Sequence, residues 1–550
     1  MPDKIDTPET SCASASTGES PGPGLSSRRS RFFAMVGCAA LVVLAFPNCD
    51  VDWLVWVSLV PLFFAAQGIG GKRGFLTGWI TGMMIEGVGF FWISHAILHF
   101  SGLPLPVAYV LFLGWAALSA LTWAVFGWAL GRCRTPGAVL ATLPLWVAVE
   151  FYAPRLFDWH FGGALYQREW LRQAADVFGA SGLSYWILLV NALVFLLVEW
   201  RRQRAPFPRG TFAVVVVLSI VVPSYGAWRV ENLRGHLQDV PTLRVGMVQP
   251  FTGQGQKRGG GQMTAPQLFV SHLGQSIALD RASPVDLVLW PEGADPYGFY
   301  DFSGDVPGKN PLDGHRPDMQ SQVTIFDKAT APLVVGCRSE DAKDQVLNSA
   351  AYILPAGESL DGVRVRLYHK NRLLLFGERL PFQSVLPQWL IQMLPAMTWG
   401  AGTSNPTMPL KARTTSGDGR YSFRNLICYE AVLPNYVRQT ASGADFLVNL
   451  TEDIWYGNSA HIAQHASVIR MRCVENRTPL LRCTNVGPSG VVDVLGGFAD
   501  PTAIFAPDAK TFAFQPRSFP TVYASWGFLF PLMVLILSTP FFVRLIIKNS

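Results

Sequence analysis

The sequence predicts two structural classes in one chain: a polytopic α-helical membrane domain of about eight transmembrane helices and a water-exposed α/β domain. Three observations predict it. Apolar residues make up 50% of the 550-residue chain and charged residues only 15%, with a mean hydropathy of +0.25, the balance of a membrane protein. Seven long apolar runs crowd the first 226 residues and an eighth lies near 522–543. Between them, from about 228 to 520, short β-rich runs alternate with helical patterns, the mark of an α/β domain.

The first 30 residues are rich in Ser, Pro, Gly and Thr and too poor in apolar groups to order themselves, so a disordered cytoplasmic tail is expected. Their basic residues come too late for a signal peptide. Apolar segments follow at roughly 32–47, 51–67, 74–98, 104–130, 136–152, 176–199 and 210–226. Several are shorter than the ~20 residues that span a bilayer, which leaves their ends soft. Charge orients them. With the N-terminus inside, the inner segments carry Arg28, Arg29 and Arg31, then Lys72 and Arg73, Arg132 and Arg134, the cluster Arg201, Arg202, Arg204 and Arg209, and finally Arg544 and Lys548. The outer loops near 48–50 and 99–104 carry no Lys or Arg, and 153–175 carries only Arg155, Arg168 and Arg172. The expected division is therefore a tail over 1–30, a membrane domain with seven helices over 31–227, a non-cytoplasmic α/β domain over 228–520, and a last helix with a short cytoplasmic tail over 521–550.

The net charge of +6 comes from these dispersed clusters, not from one basic face, so nucleic acid is not an expected partner. The 8 Cys form no CxxC pair and no Cys/His set at zinc spacing, so neither a disulfide framework nor a metal site is expected. "GQGQKRGGGQ" (253–262) lacks the order of a phosphate loop and reads as a flexible loop.

Four stretches end or follow the expected strands, where α/β domains build their sites. They are "LVLWPEGADP" with Glu292, "YHKNRLLLFGERLPF" with Lys370 and Glu378, "NLICYEAVLP" with Cys428 and Glu430, and "NLTEDIWYGNS" with Trp455. Each alone has an ordinary reading: a capping carboxylate, a solvated lysine, a thiol packed as a small hydrophobe. Together they supply a nucleophile, a base and a cation. A free thiol has a pKa near ~8.5 and is mostly protonated at neutral pH. A carboxylate can take its proton during attack, and an ammonium can stabilise both thiolate and oxyanion.

The order Glu, Lys, Cys in the settings WPE, YxK and ICYE resembles the nitrilase, or carbon-nitrogen hydrolase, superfamily. With seven spans before that domain and one after, the chain is similar to the apolipoprotein N-acyltransferases from about residue 32 onward. The resemblance implies an αββα sandwich in which Glu292 is the general base, Lys370 the oxyanion-stabilising cation and Cys428 the nucleophile. It makes Glu378 a second carboxylate near them, has Tyr429 and Glu430 shape the site, and gives Asn348 in "LNSA" and Trp455 in "DIWYG" supporting places. It further implies transfer of an acyl chain from a phospholipid donor, through a Cys thioester, to the amine of a diacylglyceryl apolipoprotein. No cofactor is implied, and the expected setting is a bacterial inner membrane with the catalytic domain in the periplasm. A monomer is expected.

The chain departs from that pattern at Leu375 where Pro precedes FGE, at Gly293 after WPE, at Glu452 in place of Asn in N-D-x-W-F-G, and at Phe251 in place of the Asn of Q-x-N. These changes leave the triad intact and bear on the loop over 250–263, which in the family helps hold lipid. Leu380 to Leu410 has no charged side chain, and "LPQWLIQMLPAMTWG" reads as an arm dipping into the outer face of the bilayer. Packing or surface roles are expected for His461 and His465, and structural roles for Glu86 and His95 in the third apolar run. Cys473 and Cys483 could pair outside the cytoplasm. Two other readings remain open on sequence: a membrane-anchored amidase passing its acyl group to water, and a non-catalytic scaffold, which would have no need of all three triad residues.

Overall fold

The computed structural model describes residues 25, 27–101, 103–203, 206–251, 264–301, 323–341, 345–375, 377–379, 385, 387, 399–414, 419–527 and 529–547. The expected N-terminal tail, the 253–262 loop and most of the apolar arm lie outside them.

The first apolar runs form helices α1 (Arg28–Ala45), α2 (Val60–Ala66), α3 (Gly71–Gly89), α4 (Trp92–Ser101), α5 (Leu105–Ser119), α6 (Leu121–Gly131), α7 (Leu143–Tyr152), α8 (Ala175–Gln203) and α9 (Arg209–Leu237). Among the described residues, Leu105–Gly131, Ala175–Arg202 and Arg209–Leu237 are long and apolar enough to cross a bilayer. The α3–α4 pair makes a fourth such span if its bend of 63° is counted within one crossing, and Asp52–Ala66, Pro136–Tyr152 and Leu529–Pro540 are shorter apolar helices. Eight apolar runs thus become helices of unequal length. Two helices differ from the sequence reading. The run 74–98 breaks at Phe90 and Phe91, so that α4 turns across the outer end of the bundle. Helix α9 runs past 226 to Leu237, because its polar end "WRVENLRGHL" docks on the soluble domain and is not released as a linker: Leu237 O accepts from Gln515 Nε2 at 2.6 Å.

Helices α3 and α6 pack backbone against backbone. A Cβ on Gly78 would lie 2.2 Å from Trp123 O, and one on Gly74 2.3 Å from Gly127 O. Only glycine lets the two backbones meet there, the usual device of membrane helices that lack a hydrophobic driving force between them.

The soluble domain contains twelve strands among the described residues: β1 Leu243–Gln249, β2 Leu287–Trp290, β3 Phe299–Asp301, β4 Leu333–Asp341, β5 Val346–Ile353, β6 Val365–His369, β7 Met408–Lys411, β8 Arg420–Ile427, β9 Phe446–Thr451, β10 Leu480–Thr484, β11 Gly490–Val492 and β12 Asp508–Phe514. One sheet has the order β12-β1-β2-β4-β5-β6 with β3 beside β4, and the other β11-β10-β9-β8-β7. Strand alternation makes this a four-layer sandwich. Val245, Met247, Leu287 and Leu289 face Phe446, Val448 and Leu481 between the sheets, while Val288 and Trp290 turn outward onto Phe269 and Leu273 of helix α10 (Ala265–Ala282). On the opposite outer face, Leu426 and Leu447 pack against α11 (Pro434–Ala441) and α12 (Ala460–Asn476). The expected αββα layers are present.

Buried charge seats this sandwich on the membrane bundle. Arg477, fully buried after α12, donates to Asp176 Oδ2 at 2.9 Å and to Gln173 Oε1 at 2.6 Å, both at the outer end of α8. Glu475 Oε1 accepts from Ala180 N at 2.9 Å, and Arg172 Nε donates to Leu495 O at 2.7 Å. Desolvated pairs of this kind hold geometry because removing one partner strands the other. The last helix, α13 (Leu529–Ile547), returns to pack along α7.

Candidate active site

Each chemistry-bearing residue sits where a strand ends. β2 delivers Glu292 two residues past Trp290, β6 delivers Lys370 directly after His369, and β8 delivers Cys428 directly after Ile427. All three are at least nine-tenths buried, and Asn348, Glu378 and Glu430 are buried with them.

Glu292 accepts three hydrogen bonds. Its Oε1 accepts from Asn348 Nδ2 at 2.7 Å and Lys370 Nζ at 3.5 Å, and its Oε2 accepts from Glu452 N at 2.9 Å. Asn348 Nδ2 also reaches Glu378 Oε1 at 3.0 Å, so one amide bridges the two carboxylates. Lys370 Nζ lies closer to Glu378 Oε1, at 2.8 Å, and Glu378 Oε2 accepts from Leu374 N at 2.8 Å. Burial opposes charge on Lys370, but the carboxylates of Glu378 and Glu292 outweigh it and hold the pKa above the usual lysine value. Burial raises the Glu292 carboxyl, against the pull of Lys370 and with the push of Glu378 and Glu452. Burial, then the negative charge of Glu292, raises the Cys428 thiol, with Lys370 pulling the other way. The cluster therefore rests as a neutral thiol beside an ammonium between two carboxylates, and burial makes Glu292 a better proton acceptor than an ordinary carboxylate.

Glu430 builds the turn that carries the nucleophile. Its Oε1 accepts from Asn371 N at 2.7 Å and Arg372 N at 2.9 Å, and its Oε2 from Ile427 N at 2.8 Å and Tyr368 Oη at 2.6 Å. One carboxylate thus ties the chain before Cys428 to the chain after Lys370. Burial raises its pKa to about 7 against those donors. Cys428 itself has φ +50°, a left-handed conformation that costs a residue with a Cβ roughly 1–2 kcal/mol and persists where surrounding contacts over-determine it.

Above the thiol lies an apolar pocket walled by Trp92, Ile93, Ala96 and Ile97 of α4, by Leu156 and Phe157 of the outer loop, and by Leu374, Leu375 and Tyr429. A membrane helix thus forms one side of the site. Tyr429, next to Cys428, lines this pocket. Trp455 packs toward the membrane bundle, and its carbonyl meets His95 Nδ1 at 3.1 Å, outside the pocket lining.

Several residues here were not singled out from sequence. Gly336 on β4 is one: a Cβ there would stand 2.1 Å from Pro291 O and 2.5 Å from Glu292 Cα, so glycine is what lets the Glu292 loop settle. Another set lies beneath Cys428. Arg482, fully buried on β10, donates to Asp453 Oδ2 at 2.6 Å and to Asn449 Oδ1 at 3.1 Å, and Asn449 Nδ2 points to Cys428 O at 3.5 Å. Asp453 Oδ1 lies 3.2 Å from His465 Nδ1 and 3.6 Å from His461 Nε2. That trio has the donor types of a metal site, but the Arg482 guanidinium already neutralises Asp453 and stands 3.4 Å from His465 Nδ1, where a cation would be repelled. The imidazoles are buried, not surface groups; a carboxylate does reach them, from the turn before their helix. Cys473 and Cys483 are separate buried free thiols. Glu86 accepts from Trp123 Nε1 at 3.3 Å between α3 and α6.

An αββα sandwich with a buried Cys, Glu and Lys at three strand ends is an enzyme domain of the carbon-nitrogen hydrolase class, here joined to a membrane bundle. The family described as carbon-nitrogen hydrolase matches residues 256–524, and that described as the apolipoprotein N-acyltransferase N-terminal domain matches 38–193. The apolipoprotein N-acyltransferase of Geobacter metallireducens is 28% identical over 491 residues, covering 87% of this chain and 88% of the relative. That of Chlorobaculum tepidum is 28% identical over 499 residues, covering 84% and 87%. That of Bdellovibrio bacteriovorus is 28% identical over 511 residues, covering 88% and 89%. The chain belongs to the apolipoprotein N-acyltransferase family.

Proposed function

We propose that this acyltransferase moves a fatty acyl chain from a membrane phospholipid, through a thioester on Cys428, to the α-amine of the diacylglyceryl-modified N-terminal cysteine of apolipoproteins. The observation that carries this reading is a buried thiol beside an ammonium and two carboxylates, under an apolar pocket with a membrane helix as its wall. The catalytic domain faces the periplasm in this reading, the side on which the loops poorest in Lys and Arg lie.

Attack by Cys428 Sγ on the ester carbonyl passes the thiol proton to Glu292, and Lys370 stabilises the oxyanion. Collapse expels the lysophospholipid oxygen, which takes that proton from Glu292 and leaves the thioester. The acceptor amine then attacks the thioester carbonyl, Glu292 receives its N–H proton, and the departing thiolate recovers it. The thiol proton leaves on the lysophospholipid and a proton of the acceptor amine replaces it, so Cys428 and Glu292 end as they began; the ester is itself the acyl donor, and the cycle closes without a cofactor. Glu378 holds Lys370 charged throughout, which leaves Glu292 free to cycle between its two protonation states.

The test is release of lysophospholipid by the Cys428→Ala protein, compared with wild type at equal membrane content. Loss of both release and acyl transfer is expected. Transfer that survives the substitution would overturn the thioester route.

A further inference from the structure

A second apolar cavity lies beside the Cys428 pocket. It is a groove with a cavity volume of about 270 Å³, bounded by Val42 of α1 and Phe46 just after it, Val88 of α3, Phe157, Gly163 and Gln464. Val88 is 66% exposed on the bundle's outer surface, so the groove opens sideways toward where lipid would lie. Groove and pocket share Phe157 as a lining residue. Between them stands the Phe157 ring that lines both, backed edge-on at 5.6 Å between centroids by Trp92 of the pocket wall. Trp92 is pinned. Trp92 Nε1 donates to Gln464 Oε1 at 2.9 Å, and Gln464 Nε2 donates in turn to Gly89 O at 2.9 Å and Pro47 O at 3.1 Å.

Two apolar compartments divided by a single ring suit a ligand with two neighbouring apolar chains. We propose that the groove seats the chain of the donor phospholipid that is not transferred, while the transferred chain occupies the Cys428 pocket. This rests on the function proposed above. The chains of one glycerolipid leave adjacent carbons, so a lipid with one chain at Cys428 must place the other about one chain width away, the thickness of the Phe157 ring. The acceptor fits less well. It arrives when the pocket already holds the thioester chain, and its own two chains would have to share one groove.

Small residues leave the groove open and offer a way to close it. A Cβ on Gly163 meets nothing within 4 Å, and one on Gly89 meets only Val43 Cγ2 at 3.8 Å. Gly163→Phe and Gly89→Leu therefore fill the groove without a backbone clash. Three rates would be measured on each purified full-length variant: acylation of Cys428 by diacyl phosphatidylethanolamine, acylation by one-chain p-nitrophenyl palmitate, and transfer from preformed thioester to a diacyl lipopeptide. The first is expected to fall about ten-fold, in line with the discrimination an apolar pocket gives for chain fit, and the other two to hold. An unchanged first rate, or an equal fall in all three, overturns the proposal. A fall in the third alone assigns the groove to the acceptor and also overturns it. Failure of the underlying functional reading is distinct, since the wild-type protein would then form no thioester with either ester.

Discussion

Replacing Glu430 by Gln keeps the side chain's size and removes half of what it does. Four donors converge on the carboxylate, two on each oxygen: Asn371 N and Arg372 N on Oε1, Ile427 N and Tyr368 Oη on Oε2. An amide presents one oxygen and one NH2; turned so that the NH2 faces Tyr368 Oη, which can accept, and Ile427 N, it strands the single Ile427 donor, and turned the other way it strands two. Each buried donor left without an acceptor costs about 1–3 kcal/mol, which puts the loss in the cheaper orientation at roughly 1–3 kcal/mol. The cheapest relief is local, since the Cys428 turn already sits in a left-handed conformation that the Ile427 contact helps to hold. If the upper end of that loss falls on nucleophile placement, thioester formation slows about 10²-fold. The assay is single-turnover acylation of Cys428 by a one-chain ester, read by mass spectrometry, with thermal unfolding in detergent alongside. A Glu430→Gln protein that acylates at the wild-type rate would refute the reasoning that this carboxylate positions the nucleophile.

Gly336→Ala should misplace Glu292 because the new Cβ meets Pro291 O at 2.1 Å; kcat for acylation should fall about 10²-fold with little change in unfolding temperature, and unchanged kcat would remove Gly336 from the argument. Arg482→Met leaves Asp453 buried without its cation, so a loss of about 3–5 kcal/mol is expected, with partial recovery in Arg482→Met/Asp453→Asn; no recovery in the double variant, by thermal unfolding, would count against the pair. Burial, then Arg482, lowers His465 from 6.5 to about 3, so the unfolded chain binds the extra proton and stability is lost as pH falls through that window. His465→Gln should flatten this acid limb by up to several kcal/mol between those pH values, and an unaltered limb in pH-dependent unfolding would show that another group governs it.

Much of the soluble domain is legible in the sequence because its strands are buried on both faces. "LRVGMVQ", "VDLVLW", "PLVVGC" and "DFLVNL" are continuous apolar runs, and each contains a strand. The strands not read from sequence are of another kind. β6 ("VRLYH") and β12 ("DAKTFAF") lie at the two ends of their sheet, where half-buried residues alternate with polar ones and the apolar signal is diluted. The bend between α3 and α4 has no Pro to announce it; contacts remote in sequence, such as Trp92 with Gln464 and His95 with Trp455, hold α4 across the site.

The same division holds within the site. Glu292, Lys370 and Cys428 are visible because carboxylate, ammonium and thiol each follow a strand. Gly336 carries no chemistry, and its part is apparent only once its missing Cβ is seen against Glu292. Arg482 reads from sequence as one polar residue in "PLLRCT", and nothing local says that its guanidinium lies under the nucleophile with Asp453 and Asn449. The carboxylate that reaches His461 and His465, Asp453, precedes their helix, so no spacing within the helix announces it.

The most direct measurement is to incubate the purified protein with a phospholipid carrying a tagged acyl chain, map the adduct by mass spectrometry, and then add a diacyl lipopeptide. A hydroxylamine-labile acyl group on Cys428 that moves to the lipopeptide amine is the predicted result. An adduct lost to water at the same rate with or without the lipopeptide would contradict the transferase and leave an amidase in its place.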